Sequence, residues 1–444
     1  MLPRHFLTAT LAQHPRGAAI TRTLAAALQA VAPQNLRYPH LTETLHGLDG
    51  KVFVLGLGKA CAGMVAALGD SLVDRPHRGL LIPKQAPVQT LAGFEILPGG
   101  HPLPDENSLR AGQRALELAG DLDENDLLLC LISGGGSALM TSPHPGLSLD
   151  DLQHLTSALL ACGARIDEIN ILRRHLDRVK GGGLARAAYP ARVVSYILSD
   201  VVGNPLEAIA SGPTAPDPTS RGDALEVLTR YDLSTKVPMA ILRVLENAPE
   251  TPKPGERVFA HVENILVGSN ALAAQAALVQ ARTEGFQTGF LGDTWQGEAR
   301  AVAKTLCDRL KRERLPRPFC LVAGGETTVS LRGAGLGGRN LELALAAASE
   351  LAGLTDLLLV TLATDGEDGP TDSAGAVVTG ETLLRAQALG LEVSHFLERN
   401  DSYHYFAPLG DLLQPGPSGT NVNDLTFLFA FQREFNSEFH RPVN

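Results

Sequence analysis

The chain of 444 residues is 44% hydrophobic and 19% charged, which describes a soluble globular protein with an ample core and the length of two or three domains. Its formal charge of −10 argues against a nucleic-acid partner, because phosphate-backbone binding needs a large basic surface; a local basic cluster can still hold one small anion. No apolar run approaches the roughly 18–20 residues that span a bilayer, the first residues carry no secretory signal, and five scattered cysteines without a C-x-x-C pair fit reduced thiols in the cytoplasm.

Residues 17–31 have apolar side chains at helical spacing and predict an amphipathic helix. Between residues 51 and 200, apolar runs at 52–57, 79–82, 94–97, 127–132 and 193–198 alternate with Ala/Leu-rich helical stretches. Strands separated by helices are the signature of a mainly parallel sheet. The stretch APETPKPG over 248–255 places three prolines where neither a helix nor a central strand can continue, and is the clearest linker. A second block follows, with strands expected near 263–267, 286–291, 319–323, 327–331, 357–363 and 425–430, and helices over 270–284, 297–313 and 339–352. The expected architecture is α/β: two α/β/α domains, the first Rossmann-like, with the active site in a cleft between them. The boundaries drawn are 1–247, with 1–44 as a helical lead-in that could pack on either domain, and 256–444.

Four strands run into glycine-rich polar breaks, and ligands of α/β proteins bind beyond the carboxyl ends of strands. The first break, GLGKACAG over 56–63, suggests a dinucleotide fingerprint, but its third glycine comes too late and the next strand ends in Pro83 and Lys84 rather than an acid. Lys59 opposes the dipole of the helix it would open; it is either a functional cation or an exposed lysine on a tight turn. Ser133, Gly134, Gly135, Gly136 and Ser137 form the strongest break, since three glycines after a buried strand are entropically costly and two hydroxyls with backbone amides make a nest for phosphate oxygens. In NILRRHLDRVKGGG over 170–183, Arg173 and Lys180 share a face if the segment is helical and could clamp a carboxylate or phosphate, or simply coat a solvated helix. Asp200, at another strand end and close to Asn204, suits a metal ligand, a base or a helix cap. Gly325 and Glu326, then Arg339, bring a carboxylate and a guanidinium onto glycine turns, and Asp365 with Asp368 offers the hard oxygens that Mg²⁺ prefers. No H-E-x-x-H, zinc-spaced Cys/His set, H-R-D or D-F-G is present. Cations, carboxylates and anion-cradling turns together are the parts of phosphoryl transfer.

Taken in order, GLGKACAGM (56–64), GHPLPDENS (100–108), LISGGGSAL (131–139), NILRRHLDRVKGGGLA (170–185), LSDVVGNPLEAIASGPTAPDPT (198–219), VAGGETTVSLRG (322–333), GGRNLELAL (337–345), ATDGEDGPTDSAGAVV (363–378) and GTNVND (419–424) resemble the class II glycerate 2-kinase family, whose C-terminal part is the MOFRL domain. The resemblance implies ATP-dependent phosphorylation of the 2-hydroxyl of D-glycerate, with ATP as cosubstrate and Mg²⁺ or another divalent cation. It implies an active-site lysine at Lys59 and an arginine at Arg339. On that reading Arg173, alone or with Lys180, holds the carboxylate of glycerate, Asp200 orients the hydroxyl or serves as a second metal ligand, and Asp365 or Asp368 carries the metal. Ser133, Gly134, Gly135, Gly136, Ser137, Asn204, Gly325 and Glu326 line the phosphates. The expected partners are these small molecules, with a homodimer compatible. Two alternatives stay open: a nicotinamide-dependent hydroxypyruvate reductase, a label some family members have carried, and a non-catalytic protein that binds an anionic metabolite.

Overall fold

A strand covered by helices on both faces needs no alternation of polar and apolar residues, and the central strands here are unbroken apolar runs. The computed structural model of the chain describes residues 1–72, 77–87 and 91–432. Its contacts divide into two units, Val31–Ser269 and Met1–Ala30 joined with the chain from Asn270 onward.

The first unit holds strands β1 (Val52–Leu57), β2 (His77–Ile82), β3 (Phe94–Ile96), β4 (Leu127–Ser133), β5 (Arg192–Leu198) and β6 (Val262–Gly268). All six are parallel, in the order β3-β2-β1-β4-β5-β6. This is the doubly wound Rossmann order, with its switch point between β1 and β4. Every residue of β1 and β4 is buried, whereas β6, at the sheet edge, is largely part-exposed.

The second unit carries β7 (Gln287–Phe290), β8 (Trp295–Glu298), β9 (Phe319–Thr328), β10 (Leu357–Ala363), β11 (Gly375–Thr379), β12 (Leu412–Leu413) and β13 (Asp424–Ala430). This sheet is mixed, running β12-β11-β10-β13-β9-β7, with β8 also paired to β9. β13 lies antiparallel between β9 and β10, so the residue that opens it, Asp424, stands opposite Gly325 and Ala363, near the carboxyl ends of both neighbours.

Three expectations from the sequence meet a different structure. β6, assigned above to the second block, extends the first sheet by pairing with β5, and the Pro-rich 248–255 stretch packs within the first unit. There Thr251 Oγ1 donates to buried Asp217 at 3.0 Å, and the Asp217 amide donates to Pro252 O at 2.9 Å. The two strands expected at 319–323 and 327–331 are one, β9, running through Gly324 and Gly325 to Thr328. A side chain at Gly325 would lie 2.1 Å from Trp295 O, so its absence is what lets β8 approach. Among the described residues no helix is long and apolar enough to cross a membrane.

The lead-in helix Gly17–Ala30 belongs to the second unit, where Arg22 donates to Glu284 through Nε and Nη2, both at 2.6 Å. Asp411, fully buried, ties the same segment down. It accepts from Thr10 N at 2.9 Å, Thr10 Oγ1 at 2.8 Å and Arg385 Nη1 at 2.7 Å. Removing one partner of a buried ion pair leaves the other uncompensated. Asp411→Ala should therefore cost about 2 kcal/mol, discounted because a third of Arg385 remains in solvent. Hydrogen exchange checks this: amides of Ala9–Gln13 should exchange faster than in the parent while those of β1 and β4 do not change.

Candidate active site

The loops after β1 and β4 flank the switch point of the parallel sheet, where strand order reverses and a crevice opens. They are stitched together: Lys59 N donates to Gly134 O at 3.0 Å, and Ala60 N donates to Ser133 Oγ at 3.0 Å. Gly58, at φ +113°, passes so close to Ser133 that a Cβ would sit 2.3 Å from its hydroxyl. Gly134 has no side chain because the Asp200 carboxylate occupies that space, 1.8 Å from where a Cβ would be. Gly135, at φ +85°, is covered by the Lys59 stem and the His101 ring, each 3.2 Å from the corresponding position. The structure thus brings Lys59, the 133–137 loop and Asp200 together and adds His101. Ser137 accepts from Ser211 Oγ at 2.8 Å, and Ser211 and Ala210 both hold left-handed conformations that non-glycine residues seldom adopt. Asn204 lies on the turn after β5, its amide donating to Val201 O at 3.0 Å.

Arg173 and Lys180 line one cavity with Ser137, Thr141, Leu155 and Leu172, although the helix Ile166–His175 ends before Lys180 and so does not align them as expected. Their situations differ. Lys180 is buried and satisfied by Asp177, with Met140 O and Thr141 Oγ1 each at 3.2 Å. That leaves its ammonium no donor geometry to spare for a ligand, and it secures the cavity wall. Arg173 donates to Asn170 Oδ1 at 3.3 Å and forms no ion pair with a carboxylate among the described residues. Burial lowers its pKa, the mark of a cation short of a counter-charge.

In the second unit, Arg339 opens the helix Arg339–Leu351. Its Nε donates to Asp424 Oδ2 at 2.5 Å, Nη2 to Asp424 Oδ1 at 3.3 Å, and Nη1 to Glu326 at 2.7 Å. Burial alone would weaken the charge of Arg339; Asp424 and Glu326 outweigh it and raise its pKa. Asp424 was not singled out from the sequence as a site residue, yet it is the residue that aims the guanidinium. Asn270 fixes the backbone there by donating from Nδ2 to Val422 O and Asp424 O, both at 2.9 Å. Asp368 spends both carboxylate oxygens on the helix N-terminus, accepting from Asn340 N at 3.1 Å and Leu341 N at 2.8 Å. Asp365 is half-buried and accepts the Glu367 amide at 3.3 Å; burial raises its pKa, and the nearby Arg339 works against that rise. Among the described residues no three acidic, histidine or cysteine side chains cluster as a metal cage.

These motifs have counterparts in known proteins. Residues 19–246 match a family model described as a domain of unknown function, DUF4147, and residues 319–424 match the MOFRL family. A D-glycerate 2-kinase from Thermotoga maritima is 41% identical, the match covering 90% of this chain and 94% of the relative. The chain belongs to the glycerate 2-kinase family. A crystal structure of glycerate kinase from Thermotoga maritima superimposes with a TM-score of 0.84 at 38% identity, over 93% of this chain and 98% of that one. A relative from Agrobacterium vitis, 39% identical over 85% of this chain and 86% of its own, is named a putative hydroxypyruvate reductase.

Within this kinase fold the Arg339–Asp424 pair yields a pH prediction. Burial pushes the Asp424 carboxyl up to about 6, against the pull of Arg339. Between about pH 4 and 6 the folded chain therefore keeps a proton that the unfolded chain has released, so this group's contribution to stability falls as pH rises through that window. Asp424→Asn should remove that fall. Denaturant titrations of parent and variant at several pH values check it: the parent should lose stability relative to the variant between pH 4 and 6.

Proposed function

We propose that this chain transfers the γ-phosphoryl group of ATP to the 2-hydroxyl of D-glycerate, yielding 2-phosphoglycerate and ADP. The observation that carries the reading is the switch-point site itself. A lysine with no ion pair among the described residues, a carboxylate and an amide-rich loop share the crevice of a chain whose relatives include glycerate kinases. Such transfers require little covalent chemistry from the protein and depend on positioning and charge.

In this reading Arg173 binds the glycerate carboxylate through its two-pronged guanidinium, which offsets its own lack of a counter-ion. Lys180 holds the wall of that cavity through Asp177. Asp200 orients the 2-hydroxyl. The hydroxyl oxygen bonds to the γ-phosphorus as the bond to the β–γ bridging oxygen breaks, and ADP departs with that electron pair. Lys59 stabilises charge on the transferring group, and the 133–137 loop donates amides to phosphate oxygens. In the second unit Arg339, held by Asp424 and Glu326, offers positive charge to an anion.

A divalent cation fits the second unit on charge grounds. Arg339 is outnumbered there by Asp365, Glu326 and Asp424, so phosphates approaching these carboxylates need additional positive charge. Mg²⁺ commonly binds through one or two carboxylates plus substrate phosphates, so the absence of a three-residue cage does not oppose it. Asp365 is the residue we assign to it, since Asp368 is engaged by the helix amides. When bound, the ion would neutralise phosphate charge.

The switch point does not favour the nicotinamide alternative: β2 ends at Ile82 and runs into Pro83 and Lys84, where a dinucleotide enzyme carries an acid for the ribose.

Two experiments check the assignment. ³¹P NMR of a mixture of ATP, Mg²⁺, D-glycerate and the protein should show 2-phosphoglycerate, and Lys59→Ala should lower turnover roughly 10²-fold or more. Near-normal turnover in that variant, or a product phosphorylated elsewhere, would refute the corresponding part. Arg173→Ala should raise KM for D-glycerate about 10²-fold with a smaller change in kcat, and Arg173→Lys should recover only part, because lysine lacks the two-pronged geometry. An unchanged KM excludes the residue from the carboxylate site.

A further inference from the structure

His101 lies in none of the four glycine breaks, yet the fold delivers it to the switch point. The preceding residue is pinned: Gly100 N donates to Asp105 Oδ1 at 3.0 Å and to Ser108 Oγ at 2.9 Å, in the capping box that starts the helix Glu106–Gly120. The imidazole consequently projects over Gly135, with its Cδ2 and the Lys59 Cε at the same 3.2 Å from the missing Cβ. The Asp200 carboxylate stands over the adjacent Gly134. The charged groups facing the ring are Lys59, from the loop after β1, and Lys84, from the loop after β2. Burial first, then these two lysines, hold its pKa below the ordinary 6.5, so at neutral pH the ring is uncharged and has a nitrogen able to accept a proton.

We propose that His101 is the catalytic base, accepting the proton of the substrate hydroxyl as that oxygen attacks phosphorus. The inference rests on the kinase reading and deepens it. As the oxygen–phosphorus bond forms, the hydroxyl proton passes to an imidazole nitrogen, ADP leaves with the electrons of the broken bridging bond, and the imidazolium later releases its proton to solvent. Asp200 then orients the hydroxyl without taking the proton. Lys59 serves twice, drawing charge from the phosphoryl group and keeping the adjacent imidazole neutral before the step.

The full-length protein tests this with ATP, Mg²⁺ and D-glycerate as substrates. A parent protein that makes no phosphoglycerate overturns the kinase reading and this inference with it. With an active parent, His101→Ala should lower kcat about 10²-fold while KM for D-glycerate stays within a few-fold, and added imidazole should restore at least tenfold of the loss. Rescue is the deciding readout, because Asp424, pushed up to about 6 by burial, would blur an acid limb in the rate profile. Parental turnover in the alanine variant, or a loss that no imidazole concentration relieves, overturns the assignment. Should that variant fail to fold, His101→Gln keeps the question answerable. A similar loss in kcat at unchanged KM supports the base, and full activity excludes it.

Discussion

Two consecutive residues without side chains set how closely charge can gather in the first unit. A methyl group at Gly134 would overlap the Asp200 carboxylate, and one at Gly135 would press on both Lys59 and His101. The carboxylate, the ammonium and the imidazole therefore converge only because the backbone of the loop after β4 presents bare α-carbons to all three. The parallel sheet makes this arrangement available. With β1 and β4 adjacent but their crossovers running in opposite directions, the loops at their carboxyl ends are not covered by a connecting helix. The entropic cost of three glycines is offset by the proximity they allow.

The second unit reaches a related end by a different route. Its sheet is mixed, and antiparallel β13 returns Asp424 to the edge from which β9 and β10 emerge. The Arg339 guanidinium is thereby gripped on two sides, by Asp424 and Glu326, instead of being left to sample solvent. Such a fork fixes direction as well as charge, which a lysine at the same place would not do. Beneath it Asp368 compensates the helix N-terminus, so the element carrying Arg339 is itself anchored.

Much of this was legible in the sequence, for physical reasons. Strands β1, β4 and β10 are almost wholly apolar runs that lead into glycine-containing loops, and they lie within a residue of the expected bounds. β6 was placed in the wrong sheet because a proline-rich stretch reads as a linker whether or not it packs, and Thr251 and Pro252 do pack, against Asp217. β11 and β12 escaped notice because Gly375–Thr379 and Leu412–Leu413 are short and gain their regularity only from antiparallel partners distant in sequence. At the sites, glycine loops announced themselves, whereas Asp424 and His101 lay inside stretches that carried the family resemblance without a chemical signal of their own. An aspartate opening a strand and a histidine before a proline are ordinary until the sheet order and the capping box bring them to their neighbours.

Burial alone does not separate a cation that can bind substrate from one that cannot; its partners do. Lys180 and Arg174 are both buried, and each has an aspartate on it, Asp177 and Asp217 respectively. Their charges are spent inside the fold, and withdrawing either would leave a bare carboxylate in the interior. Among the described residues Lys59 and Arg173 form no ion pair with a carboxylate, so their charges are not spent inside the fold in this way, in a chain that is acidic as a whole. The same division separates the charged groups of the two units. The first unit is acidic as a whole, yet Lys59 and Arg173 stay outside any ion pair among the described residues. The second holds its arginine between the carboxylates of Asp424 and Glu326.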